Sequence, residues 1–171
     1  MIRKHKKFSR PKKAFDAPRI QNENVIVEKY GLKNKREIWK AKAKLDIMRK
    51  SAKKLVDADL ETQERFISKL RNKGFNVKNI VDVLALTEED ILKRRLQTIV
   101  FNKKIATTAK GARQMITHGH ISINSKKVNI PSYNVNVDEE SKINGLTIKK
   151  SKISKEEKQE EINPVKMEVE N

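Results

Sequence analysis

The 171 residues suffice for one or two small domains, and 36% hydrophobic content set against 36% charged content permits only a modest core. Lys and Arg number 40 against 22 Asp and Glu, so the net charge of +18 makes nucleic acid the leading partner class and an anionic membrane surface a weaker second. The absence of cysteine removes disulfides, thiol catalysis and Cys-ligated metal centres, and no apolar run is long enough to span a bilayer. The basic amino terminus is not followed by an apolar segment, which leads us to expect a cytoplasmic protein with no membrane partner.

The charge is unevenly distributed. Residues 1–54 carry 19 Lys/Arg and 5 Asp/Glu, residues 55–92 carry 5 and 8, and residues 93–137 carry 9 and none. Residues 1–20 include Pro11 and Pro18 and show no helical or strand period, and residues 1–33 read as a basic extended arm that orders on a partner. Phe8 and Phe15 within it either stack on a partner or pack back on the protein. A helix is expected from Asn34 through Val56, with Asn34 and Glu37 spaced as a capping box. Its apolar stripe runs through Ile38, Ala41, Leu45, Met48, Ala52, Leu55 and Val56, and its other faces are dense in Lys.

Between 57 and 101 three more helices are expected. The first is marked by Leu60, Phe66, Ile67 and Leu70 with Gly74 as its stop, and the second is a short apolar segment after Asn79. The third runs from a Thr87 cap through Ile91, Leu92, Leu96, Ile99 and Val100. Thr108 then caps a helix through Thr117 or His118, closed by Gly119. Alternation at Ile121 and Ile123, then at Val128 and Ile130 across an Asn124-Ser125 turn, predicts a hairpin. Further strands are expected in residues 134–137 and 146–150, the latter reached by a turn at Asn144-Gly145. The fold class is therefore α+β: a basic arm and helical region, then a helix–turn–helix-like pair on a small antiparallel sheet.

Three motifs carry a family resemblance. "RRLQTIVF", "GARQMITHGHISIN" and "VNIPSYNV" resemble the RNA-binding domain shared by small-subunit ribosomal protein S-four and some RNA-modifying enzymes. Upstream, "YGLKNKREIWKAKAKL" and "DVLALTEEDILKRRLQT" resemble the archaeal and eukaryotic branch of that ribosomal family itself. The resemblance covers residues 1–137. It implies a primary binder of small-subunit ribosomal RNA that folds a multi-helix junction and nucleates assembly. It further implies a place among neighbouring ribosomal proteins, with mRNA at the entrance as a possible partner, and an influence on decoding accuracy. On this view the chain divides into an arm (1–33), a helical domain (34–91), an RNA-binding domain (92–152) and a disordered acidic tail (153–171). The alternative is a stand-alone RNA-binding factor using the same module, discriminated by the extended amino-terminal half. An RNA-modifying enzyme would need a catalytic domain for which both halves leave no room. Two departures stand out. Ser125 occupies a position where the family uses glycine, which suggests another turn type, and the cysteine cluster of bacterial members is absent, so no zinc site is implied.

The candidate RNA-binding residues follow from charge and position. Lys110 and Arg113 lie near a helix start, with Gln114 and His118 within a turn of them. His120, Asn124, Lys126 and Lys127 continue onto the hairpin; Lys103, Lys104 and Thr107 occupy the preceding loop. Arg94 and Arg95 offer bidentate phosphate grips, and Lys33, Lys35, Arg36, Lys40 and Arg49 supply the helical half. By resemblance Ser132 and Tyr133 border the face, Tyr133 being either a contact or a core residue with its hydroxyl outward. His118 and His120 alone make a poor metal set, no phosphate-cradling loop or nucleophile signature is present, and no cofactor is expected.

Overall fold

The computed structural model describes residues 8–145. It contains α1 (Ala17–Tyr30), α2 (Arg36–Leu55), α3 (Leu60–Asn72), α4 (Ile80–Ala85), α5 (Glu88–Lys93), α6 (Leu96–Asn102) and α7 (Ala109–Thr117). Then follow β1 (Ile121–Ile123), β2 (Lys126–Lys127), α8 (Val137–Glu140) and β3 (Ile143–Gly145). The three strands form an antiparallel sheet in the order β2-β1-β3, pairing Ile123 with Lys126 on one side and with Ile143 on the other. The expected α+β class is the one observed.

Two apolar clusters share the chain. Tyr30, Leu32, Ile38, Leu45, Leu70, Phe75, Val83 and Leu92 belong to the first, built from α1 to α5. Leu96, Val100, Ala112, Ile116, Ile121, Val135 and Ile143 belong to the second, built from α6, α7 and the sheet. The chain passes between them at Arg94 and Arg95, and the helix expected across this point is broken there. Arg95 is extended (ψ 144°) and bridges to Asn134. The N–H groups of Leu96 and Gln97 donate to Tyr133 O (2.8 Å) and Pro131 O (3.3 Å) instead of to a preceding helical turn. Leu92 and Leu96 are four apart, so the apolar period runs through the break without registering it.

The segment expected as an extended arm contains α1. Pro18 sits in its first turn, where a missing N–H costs nothing. Hydrophobic periodicity misses this helix because the face it buries carries a carboxylate: Glu23 accepts from Arg19 (2.8 Å) and from the Trp39 indole (3.0 Å). The Glu23 carboxyl is pushed up by burial, but the Trp39 and Arg19 hydrogen bonds prevail and hold it below the usual carboxylate range. Phe8 packs back, its ring 6.3 Å from that of Trp39, while Phe15 is 97% exposed.

Other expectations are corrected locally. The Asn34–Glu37 capping box is absent: residue 35 precedes the helix in helical conformation, and the Glu37 side chain accepts from the Lys33 N–H (3.3 Å). The hairpin turn is the two-residue type with both positions left-handed, Asn124 at φ 49° and Ser125 at φ 64°, so serine adopts the usual geometry rather than changing the turn type. Residues 134–137 form no strand; Val135 is buried and α8 starts two residues later. Asn144 and Gly145 lie in β3 instead of a turn. Residues 146–150, expected as strand, and the acidic tail lie outside the described residues. Thr108 caps α7 as expected, accepting from Gly111 N (3.0 Å). Gly119, at φ 73°, lets its own N–H and that of His120 close the last turn on Ile116 O and Met115 O (both 2.9 Å).

Candidate nucleic-acid interface

The interface is built around a seam between the two clusters. Gly31 ends α1 in the left-handed region (φ 57°), and a Cβ there would lie 2.9 Å from Ala109 backbone, so the start of α7 rests directly on the α1–α2 loop. Gln97, only 1% exposed, donates through Nε2 toward Tyr30 O (3.0 Å), Gly31 O (3.0 Å) and Ala109 O (2.9 Å). One side-chain amide thereby ties the loop, α6 and α7 together.

Beside it, Glu37 of α2 receives two guanidinium groups. Arg95, 5% exposed, donates to Oε2, and Arg113 of α7 reaches Oε1 at 3.0 Å and Gln97 Oε1 at 3.4 Å. Burial pushes the Glu37 carboxyl up, but the hydrogen bonds and charges of Arg113 and Arg95 outweigh it, and the group is held below the usual carboxylate range. Arg94 donates to Lys73 O (3.1 Å), Val135 O (2.9 Å) and the Glu140 carboxylate (2.8 Å). Arg49 caps Leu86 O (2.7 Å) from the flank of α2.

These contacts engage four of the expected RNA ligands within the protein itself. Arg94 donates through three guanidinium nitrogens, whereas Arg49, Arg95 and Arg113 each reach protein acceptors through one terminal nitrogen. The stretch from Lys93 to Val137 lacks carboxylates, yet Glu37 arrives from 58 and 76 residues away and Glu140 from 46. Tyr133 donates its hydroxyl to Glu139 (2.9 Å), a hydrogen bond that raises its pKa above the usual phenol value, and its ring packs against the second cluster. Lys35 is half-buried near Glu23 (3.7 Å) and Ile20 O (3.4 Å).

The lysines behave oppositely. Lys33, Lys40, Lys104, Lys110, Lys126 and Lys127 are exposed, as is Arg36, and none has an ion-pair partner among the described residues. Lys103 is exposed and touches only a backbone oxygen, that of Glu140; Lys40 lies 5.9 Å above the Phe8 ring. Thr107, Gln114, His118, Asn124 and Ser132 are exposed, with His120 half-buried. The two imidazoles are parallel within 5° at 6.2 Å, and no group of three or more metal-ligating side chains occurs among the described residues.

Sequence reasoning missed Glu37 as the acceptor for both arginines, and it missed Gln97 and Glu140. Only Gln97 left a trace: it is buried beside Leu96, Ile99 and Val100, whose apolar side chains face the core.

Such a protein, a small helical unit joined to a helix–hairpin unit with lysines outward, is of the S4-domain class, and the family model described as "S4 domain" matches residues 94–141. The chain is 49% identical over 136 residues to the small ribosomal subunit protein uS4 of Thermoplasma volcanium, covering 74% of this chain and 68% of that protein. To uS4 of Thermoplasma acidophilum it is 45% identical over 148 residues, 81% of this chain and 74% of the relative. To uS4 of Saccharolobus solfataricus it is 43% identical over 145 residues, 81% and 80%. The chain belongs to the small ribosomal subunit protein uS4 family.

Proposed function

We propose that this chain is a structural constituent of the small ribosomal subunit, acting by binding ribosomal RNA and not by catalysis. It binds a junction of several RNA helices, seeds assembly there, contacts neighbouring ribosomal proteins and works in the cytoplasm as part of the ribosome. A position at the mRNA entrance and an effect on decoding accuracy complete the reading. The single observation that carries it is the outward set Lys33, Lys40, Lys104, Lys110, Lys126 and Lys127, drawn from both units and with no acid side chain in ion-pair reach among the described residues. Such a surface rewards phosphates, since each contact releases counterions, and A-form RNA exposes phosphates and 2′-hydroxyls more readily than base edges.

The proposed contacts are Lys103, Lys104, Thr107, Lys110, Gln114, His118, His120, Asn124, Lys126, Lys127 and Ser132 in the second unit, with Lys33, Lys35, Arg36 and Lys40 in the first. The proposed division follows the two apolar clusters, a helical domain ahead of Arg94 and an RNA-binding domain behind it. Family membership supports the ribosomal assignment, since the relatives are named as small-subunit proteins. Cosedimentation tests it: the protein is expected in purified small subunits in stoichiometric amount and to stay bound at moderate salt. Recovery only in free fractions overturns it.

A further inference from the structure

Two basic faces on separate apolar clusters bind one folded RNA best when their relative angle is fixed before the RNA arrives, because the ordering cost has then been met in folding. The seam holds the groups that fix it. Glu37 is the second residue of α2, and its two oxygens serve three separate places: the Lys33 N–H in the loop ahead of α2 (3.3 Å), Arg95 at the α5–α6 break, and Arg113 on α7 (3.0 Å). Arg95 belongs to the link between the clusters, Arg113 to the second cluster's own helix, and Glu37 to the first cluster. A single carboxylate is therefore the common acceptor for both units.

We infer that Glu37, by receiving Arg95 and Arg113 together, is the positioning residue that sets the angle between the two RNA-facing surfaces. This rests on the RNA-binding reading above. Glu37 touches no RNA in this account; its effect passes through the two arginines. Gln97 supports the same alignment from the buried side, holding the α1–α2 loop against the start of α7. Lys33 and Arg36 flank Glu37, and Lys110 follows the Ala109 backbone on which Gly31 rests, so the outward cations of both units are anchored to this one seam.

The inference makes a prediction whose sign opposes simple electrostatics. Glu37→Gln removes a negative charge from a strongly basic protein and frees two arginines, so charge alone would tighten binding to any RNA. A positioning role instead weakens binding to a folded target and spares binding to a plain duplex.

The full chain is measured against two probes, an intact small-subunit ribosomal RNA transcript and a double-stranded RNA of scrambled sequence and similar mass. Because the chain has no cysteine, Val81→Cys on α4 and Ile130→Cys in the second unit accept a pair of spin labels, both sites being exposed. The expected result is one narrow label distance in the RNA-free protein, broadened by Glu37→Gln. Affinity for the transcript is then expected to fall by about tenfold or more while duplex affinity holds or rises. A broad distance in the protein with Glu37 intact overturns the inference without reference to any variant, so a poorly folding Glu37→Gln chain leaves it testable. Equal or tighter transcript binding by Glu37→Gln also overturns it. If the protein with Glu37 intact does not prefer the transcript to the duplex, the RNA-junction reading itself fails, a result distinct from the other two.

Discussion

The seam and the outer lysine face show how one charge type is divided between two tasks. Guanidinium groups at the seam are buried or half-buried and donate to fixed acceptors, Arg95 and Arg113 to Glu37 and Arg94 to Glu140 and two carbonyls, and within the first unit Arg49 donates to Leu86 O. On the outer face, ammonium groups such as Lys104, Lys110, Lys126 and Lys127 stand in water without an ion-pair partner among the described residues. The planar fork suits a fixed acceptor at low solvent access, whereas the hydrated point charge on a flexible stem suits a phosphate whose place is set by the RNA. The difference teaches that counting Lys and Arg together overstates the cations available to a polyanion.

The sharpest way to break this comparison is to damage the fold on either side of it. Ile123→Asp places a charge at the centre of the sheet, between Lys126 and Ile143, and is expected to cost about 4 kcal/mol or more, read by denaturant unfolding. Arg95→Ala leaves the half-buried Glu37 carboxylate with two of its three partners and is expected to cost about 3 kcal/mol in the same measurement. If Arg95→Ala instead leaves stability untouched and weakens RNA binding alone, the fork was never structural.

Acid probes the seam more gently. Glu37 has a folded-state value below that of the unfolded chain, so its contribution to stability is present above the ordinary carboxylate value of 4.5 and is lost as pH falls through the lowered one. Glu23, Glu89 and Asp90 are lowered too, the second of them chiefly by Lys29 and Tyr30, and add in the same direction. The melting temperature is therefore expected to hold steady from neutral pH to about 5 and to drop below that, with a shallower drop in Glu37→Gln. The smallest expected effect lies on the hairpin: Ser125→Gly relieves a left-handed serine and should stabilise by about 0.5–1 kcal/mol, with RNA affinity unchanged.

Much of the fold was legible. The α2 stripe from Ile38 to Ala52, the Thr108 cap and the Gly119 stop are local patterns, and local patterns survive into structure because nothing distant competes for those groups. What failed, failed through distance. Arg94, Arg95 and Arg113 looked unpaired because the carboxylates that answer them lie between 46 and 76 residues away. The same arrivals explain the broken helix, since the N–H groups at residues 96 and 97 prefer carbonyls of residues 133 and 131. Helix α1 was invisible for a related reason: its inward side is organised by Glu23, which hydropathy scores as surface. In the candidate site, exposure of the lysines followed from their type, while the fate of each arginine depended on partners that no window of sequence contains.

The most direct measurement is the salt dependence of binding to the small-subunit ribosomal RNA transcript. Lys110→Ala, Lys126→Ala and Lys127→Ala combined should lower the slope of log affinity against log salt by about 2 to 3 with the unfolding free energy nearly intact. Arg113→Lys, which keeps the charge but loses the fork, should leave that slope unchanged while lowering stability. A triple lysine variant with an unaltered slope, or an Arg113→Lys chain that loses slope and keeps its stability, would show that the arginines face the RNA and the lysines do not.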